Sequence, residues 1–503
     1  MDLVGLIHSP ANHIAEFSQK QVLLYRNDPG FQDYFEALQL DQLTSRRARS
    51  AGVRASSPLL SWTIRCAYKL SGVSSRRKLK ADVLVCPNPD LRRKTEASLF
   101  VRILLGIART DAKIICLLPA DSPCRNELTT QLEAEGRSGQ VEFIDPVFPL
   151  NPIEGRLRSK LAWERSRSAF REAVQILEPH GLSPGLEVEA GFHRLANYVE
   201  AWERLAPFVE FDAVVARCHW HALCSPVCRT ARQRGKPVIA FQQGVIGHTL
   251  DVPVTASKYV AFGEPSARFL EQMNRRFFQA VGMPEPPVEY VNGGSLIDEV
   301  IDLPDQFERQ TLLLVDVPVV AGDFYGVQSQ CDALLELAER LLNSDAPLRR
   351  VIIRPHPYWN NLDLDACQRL ARQHPGRCEL SHPSWSLEDD LRRSSVIAGI
   401  FSGVLAAASA CGLPAIFLET ENGYTSGEFA CFSPQQTLLP EAAFRRIVEL
   451  LTDGHAFAKA RMEVLKNARE YFANRASIDT SAAFFARLLQ PKTAENQSCG
   501  NLK

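Results

Sequence analysis

The chain has 503 residues, of which 45% are hydrophobic and 23% charged, and its formal net charge is −1. That balance fits a soluble globular protein with room for two large domains and an extension, and gives no global argument for a nucleic-acid partner. The thirteen cysteines are scattered without zinc-ribbon spacing, so they read as small core residues rather than a disulfide framework or a metal site.

The amino terminus, Met1 to His8, lacks the basic region and apolar core of a secretory leader, which points to the cytoplasm. Residues 1–80 read as a basic extension. Between Ser45 and Lys80 there are ten basic residues and no acidic one, and among them runs an apolar segment, Pro58 to Leu70, with Trp62 and Tyr68. That combination suits either an anionic membrane surface, on the inner face of the cytoplasmic membrane, or a solvated arm packed on the first domain.

From Ala81 the pattern alternates as a parallel α/β sheet requires. Strands are expected at Asp82–Cys86, Lys113–Leu118, Val141–Ile144, Ala213–Ala216, Pro237–Phe241, Lys258–Phe262 and Val288–Val291, with helices at Ala97–Arg109 and Arg125–Glu135. A charged helical stretch, Ile153 to Leu177, and a helix from Phe192 to Leu205 interrupt the order. The run Cys218, His219, His221, Cys224 and Cys228 offers soft metal ligands. It also lies between two strands, as the crossover helix of a β-α-β unit does, and that is the reading adopted.

A linker near Asp302–Gln306 divides an amino-terminal domain, 81–305, from a second Rossmann-like domain, 306–490, and a polar tail, 491–503, reads as disordered. In the second domain strands are expected at Thr311–Val315, Arg350–Ile353, Arg377–Leu380, Val396–Phe401 and Ala415–Leu418. Helices fall at Ala333–Leu342, Leu364–Gln373 and Leu387–Arg393, and a terminal helix, Ala460–Phe472, is placed to return across the cleft. The uncharged run Val396 to Leu418 is long enough to span a bilayer, but Gly399, Gly403, Gly412 and Pro414 divide it into strand, turn, helix and strand.

Two motifs carry chemistry. Val351-Ile352-Ile353 forms a short buried strand that stops at Arg354-Pro355-His356-Pro357, which delivers His356 at the strand's carboxyl end, where open α/β sheets bind ligands. Ser402-Gly403 opens a helix, so Ser402 and the first backbone N–H groups form a place for a phosphate. His374-Pro375 and His382-Pro383 are decoys, since neither follows an apolar strand. No Asp-x-Asp run lies in a loop, because Asp363-Leu364-Asp365 opens a helix; a metal-clamped diphosphate is therefore not expected, and no cofactor is implied.

The order Gln242-Gln243-Gly244, Asn292-Gly293-Gly294, Arg354-Pro355-His356-Pro357, Phe401-Ser402-Gly403 and Gly412-Leu413-Pro414 resembles bacterial glycosyltransferases of the B-type fold that build surface polysaccharides. The similarity is to sialyl- and polysialyltransferases, to keto-deoxy-octulosonate transferases of capsule and O-antigen synthesis, and to teichoic acid glycerophosphotransferases. It implies two Rossmann-like domains facing a cleft. It also implies a donor nucleotide held by Arg354, His356, Pro357, Ser402 and Gly403, where the 46 residues from His356 to Ser402 match the family's interval. The donor implied is a cytidine-monophosphate-linked acidic sugar and the acceptor a glycan or lipid-linked glycan. Alternatives of the same fold use a cytidine diphosphate polyol or a uridine diphosphate sugar, or assemble a capsule without catalysis.

The sialyl relatives carry an acidic pair as base where this chain has Gln242 and Gln243, so a simple inverting sialyl transfer is put in doubt. The loop Gln242, Gln243, Gly244 and Gly247 is expected on the acceptor or sugar side. Asp251, the nearest downstream acid, is the first candidate for base or nucleophile, with Asp121 and Asp90 as alternatives.

Overall fold

The computed structural model describes residues 78–87, 94–118, 122–145, 202, 205–217, 219, 224–242, 254–281, 284–294, 310–316, 327–355, 362–382, 386–400, 402–420, 436–472 and 480–490. Most of the basic extension, the 153–177 and 192–201 stretches, the 302–306 linker and the 491–503 tail lie outside these residues.

The amino-terminal part comprises β1 (Leu79–Lys80), β2 (Val83–Cys86), α1 (Lys94–Ala108), β3 (Ile114–Leu117), α2 (Pro123–Ala134), β4 (Val141–Ile144), β5 (Val209–Glu210), β6 (Ala213–Ala216), α3 (Cys224–Gln233), β7 (Val238–Phe241), β8 (Lys258–Ala261), α4 (Glu264–Val281) and β9 (Glu289–Asn292). Seven strands form one parallel sheet in the order β4-β3-β2-β6-β7-β8-β9, while β1 and β5 pair separately. The central strands read Val-Leu-Val-Cys, Ala-Val-Val-Ala and Val-Ile-Ala-Phe and are buried throughout. A sheet covered by helices on both faces demands this unbroken apolar run. Alternate residues serve alternate faces: Val83, Val85, Val215 and Phe241 enter one core, and Leu84, Cys86, Val214 and Ala240 the other.

The second part comprises β10 (Thr311–Val315), α5 (Val327–Asn343), β11 (Arg350–Arg354), α6 (Leu364–Gln373), β12 (Cys378–Leu380), α7 (Leu387–Arg392), β13 (Val396–Gly399), α8 (Gly403–Ala410), β14 (Ala415–Leu418), β15 (Thr437–Leu438), α9 (Pro440–Thr452), α10 (Gly454–Tyr471) and α11 (Ala482–Leu489). Its sheet is parallel, in the order β12-β11-β10-β13-β14-β15. The molecule is thus built of two Rossmann-like α/β sheets facing a cleft.

The chain returns to its first half at the end. α10 reaches α4, and Tyr471 and Phe472 pack their rings on Phe262, with centroids 6.1 and 5.7 Å away. α11 then lies on α1, and Phe485 stacks on Phe241 at 6.4 Å. Gly106 makes room for it, since a Cβ there would stand 2.2 Å from the Phe485 ring. Buried Lys258 donates from Nζ to the carbonyls of Arg487, at 3.1 Å, and Gln490, at 2.9 Å, placing a cation at the negative end of α11. The last helix therefore completes a face of the amino-terminal sheet from the far end of the sequence.

The strands expected in the described residues all form, and the helix expected to recross the cleft does so. The 396–418 run is β13, α8 and β14; among the described residues no helix is long and apolar enough to cross a membrane. The sequence reading passes over α4, α9 and α11. The strand expected at Arg377–Leu380 forms as β12, an edge strand reading Cys-Glu-Leu, so His382-Pro383 follows a strand that is not an unbroken apolar run.

Candidate functional site

Reversal of strand order in an open α/β sheet leaves a crevice at the carboxyl ends of the strands on either side. In the second sheet that switch lies between β10 and β13, with β11 next to β10. The residues that follow these three strands are Asp316, Arg354 at the end of β11, and Ser402, two residues beyond Ile400. Gly399 keeps the end of β13 close to β10: a Cβ there would meet the Val315 methyl at 2.6 Å and its carbonyl at 3.1 Å.

Ser402 is the N-cap of α8. Its backbone is extended, and its hydroxyl accepts a hydrogen bond from the Val404 N–H at 3.3 Å, which leaves the hydroxyl proton to donate. The side chain is buried, 5% exposed, at a helix start that has no acidic residue in its first turn. The positive end of α8 is therefore uncompensated by any carboxylate of its own, as an anion site requires. By contrast, the Asp363 carboxylate caps α6, accepting from the N–H groups of Asp365 and Ala366, as the Asp-Leu-Asp run suggested.

Asp316, which the sequence reading passed over, is buried at the end of β10. Burial, with the Asp316 charge adding to it, pushes the Cys367 thiol up to about 12 and raises the Cys331 thiol as well. Asp316 therefore lies within electrostatic reach of Cys367 in α6 and Cys331 in α5. The rule that singled out His356, a polar residue ending an apolar strand, would have singled out Asp316.

Arg354 does not extend into open solvent. Its guanidinium holds the Asp390 carboxylate and donates to Ser381 Oγ at 3.1 Å and to the Ser386 carbonyl at 3.2 Å. Ser386 and Asp389 form a capping box at the start of α7, and the hydrogen bonds from Ser386 hold the Asp389 carboxyl below its ordinary value. His356 and Pro357 lie outside the described residues. Of the decoys, His374 is the C-cap of α6, its N–H donating to Leu370, and His382 is exposed.

In the amino-terminal sheet the order reverses between β2 and β6. Arg217 and His219, both buried, follow β6, and His219 meets the Tyr259 ring edge-on at 6.0 Å. The Cys224 thiol donates to the Cys86 carbonyl at 3.3 Å, and burial raises the Cys86 thiol well above its ordinary value. Buried, protonated thiols are poor ligands and poor nucleophiles. Among the described residues no group of His, Cys, Asp and Glu is arranged to hold a metal, and α3 is the crossover helix expected there.

Gln242 is fully buried. Its Oε1 accepts from the Phe262 N–H at 2.8 Å and its Nε2 donates to Ser266 Oγ at 3.4 Å. The side chain ties β7 to the β8–α4 turn and points into the fold, rather than onto the acceptor-side loop where sequence placed it. Gln243, Gly244, Gly247, Asp251, Asp121 and Asp90 lie outside the described residues.

No protein-family model matches the chain, and no curated protein matches it in sequence. Solved structures do match in layout. UDP-GlcNAc 2-epimerase from Neisseria meningitidis, bound to UDP-GlcNAc, is 12% identical over 82% of this chain and 99% of its own, with a TM-score of 0.45. A transferase from Siraitia grosvenorii in complex with UDP is 12% identical over 81% of this chain and 98% of its own, at 0.46. MurG from Acinetobacter baumannii is 12% identical over 82% and 99%, at 0.39. These names include epimerases and transferases, so likeness of this degree assigns no reaction; the class defined here is an α/β protein of two Rossmann-like sheets facing a cleft.

Proposed function

We propose that the protein is a glycosyltransferase that takes a nucleotide-activated sugar and holds the donor phosphate at the start of α8. The observation that supports this most is Ser402 at a carboxylate-free helix start beside the β10–β13 switch. As the anomeric carbon becomes oxocarbenium-like, the leaving phosphate gathers charge, and preorganised donors aimed at it stabilise the transition state more than the ground state. Ser402, the first N–H groups of α8 and a protonated His356 supply those donors without a metal. Asp251, or failing it Asp121 or Asp90, takes the acceptor proton or forms the covalent intermediate.

The resemblance implies a cytidine-monophosphate-linked acidic sugar and a role in surface polysaccharide synthesis at the cytoplasmic membrane. A second reading is a uridine diphosphate sugar; Gln242, whose buried amide accepts from the Phe262 N–H and donates to Ser266 Oγ, weakens the likeness to the sialyl relatives' acidic pair. Calorimetric titration of the full chain with CMP, CDP and UDP, with and without chelator, tests the proposal. One of them should bind equally well with chelator present, and product release from a matching sugar donor should follow. Failure of all three to bind would overturn it.

A further inference from the structure

Two side chains and a backbone carbonyl converge on Arg354, the residue that precedes Pro355-His356. Arg354 Nη1 is shared by the Asp390 carboxylate, Ser381 Oγ and the Ser386 carbonyl, and Ser381 Oγ donates in turn to the same Asp390 oxygen at 2.5 Å. The Ser381 N–H donates to the carbonyl of Ile353 at 2.7 Å, so the strand end is held through both backbone and side chain. Asp390 belongs to α7, which leads into β13. Its own carbonyl accepts from Ser394 Oγ at 2.6 Å, and the Ser395 hydroxyl donates to the Thr311 carbonyl of β10 at 2.8 Å and accepts from the Thr311 N–H at 3.1 Å. One bonded chain thus runs from the strand that leads to His356 to the strand that leads to Ser402.

The cost of this arrangement argues for a purpose. Asp390 is fully buried, and its Oδ1 has no hydrogen-bond partner among the described residues. Burying a carboxylate carries a desolvation penalty that the attraction of one cation offsets only in part, and apolar side chains of similar size commonly hold such a place as stably. What the ion pair adds is geometry: it fixes the angle at which the chain leaves β11.

We propose that Asp390 and Ser381 are positioning residues, which hold Arg354 and so fix the end of β11 from which the chain continues into Pro355-His356-Pro357, the stretch read above as half of the phosphate clamp. Arg354 itself then acts as a fastened cation rather than as a phosphate ligand. The inference rests on the reading of His356 and Ser402 as the phosphate clamp.

The test is calorimetric titration of the full chain with CMP, CDP and UDP, on Asp390→Asn and Ser381→Ala, each alone and combined with His356→Ala. Thermal melting confirms which variants are folded, and Ser381→Ala, the milder change, keeps the test open where Asp390→Asn fails to fold. Nucleotide affinity should fall about tenfold in each folded single variant, the size of one lost charge-assisted hydrogen bond. In the His356→Ala background the same changes should add less than about twofold, because they act through His356. Equal losses in both backgrounds, or none in either, would overturn the inference while leaving the clamp standing. If His356→Ala and Ser402→Ala themselves leave affinity unchanged, the clamp falls and this inference with it.

Discussion

The two sheets share one architecture and one topological rule, yet their switch points are built of different chemistry. At β10–β13 the strands end in Asp316, Arg354 and Ser402, with a helix start open to an anion. At β2–β6 they end in Cys86, Arg217 and His219, with buried thiols hydrogen-bonded to backbone. The contrast teaches that strand order fixes where a ligand can sit but not which one. Only the carboxyl-edge side chains and the helix start behind them decide that, and the function proposed above takes the second sheet as the phosphate half.

The comparison breaks first if the halves do not hold together. Phe485→Ala would empty the notch at Gly106 and remove the stack on Phe241, destabilising the fold by about 3–5 kcal/mol. Urea unfolding should show the loss in the amino-terminal half, whose sheet face α11 completes. An unchanged midpoint would mean that α11 is ornamental.

Next in size is the carboxylate that the proposed reaction asks of the amino-terminal half. Asp251→Asn keeps shape and removes the proton acceptor, so turnover should fall by about a hundredfold or more while donor affinity barely changes. A nucleophilic role would also leave a glycosyl adduct, seen as a mass increase with donor and no acceptor. Full activity in Asp251→Asn, Asp121→Asn and Asp90→Asn alike would remove the chemistry from this half.

Much of this was legible beforehand, for reasons that differ by element. Unbroken apolar tetrads such as Val83–Cys86 and Ala213–Ala216 announce buried parallel strands, and the Gly-punctuated 396–418 run announces β13, α8 and β14. α11 was not legible, because its partner Gly106 lies hundreds of residues away and no local pattern says what fills that notch. Gln242 was misplaced because a loop motif says nothing of where an amide turns, and its partners, the Phe262 N–H and Ser266, come from the next strand and helix. Asp390 hid in an amphipathic helix among exposed acids, where only burial sets it apart from Asp389.

That last pair supplies the smallest expected effect. The Asp389 carboxyl is held low by Ser386, so the folded form binds its proton less readily than the unfolded chain does. Its contribution is complete above about pH 4 and is lost as pH falls through the lowered folded value. Ser386→Ala should therefore lower stability at neutral pH, where the contribution is complete, and change it least in acid, which flattens the acid limb of stability against pH. A variant that still weakens as steeply in acid as the parent would remove the capping box from the account.

The claim that the second sheet alone holds the donor phosphate is tested most directly by measuring nucleotide affinity in four single variants, His356→Ala, Ser402→Ala, His374→Ala and His382→Ala. The first two should each lose about ten- to a hundredfold, the last two almost nothing, with folding intact in all four. Equal losses at all four positions, or an unweakened Ser402→Ala, would contradict it.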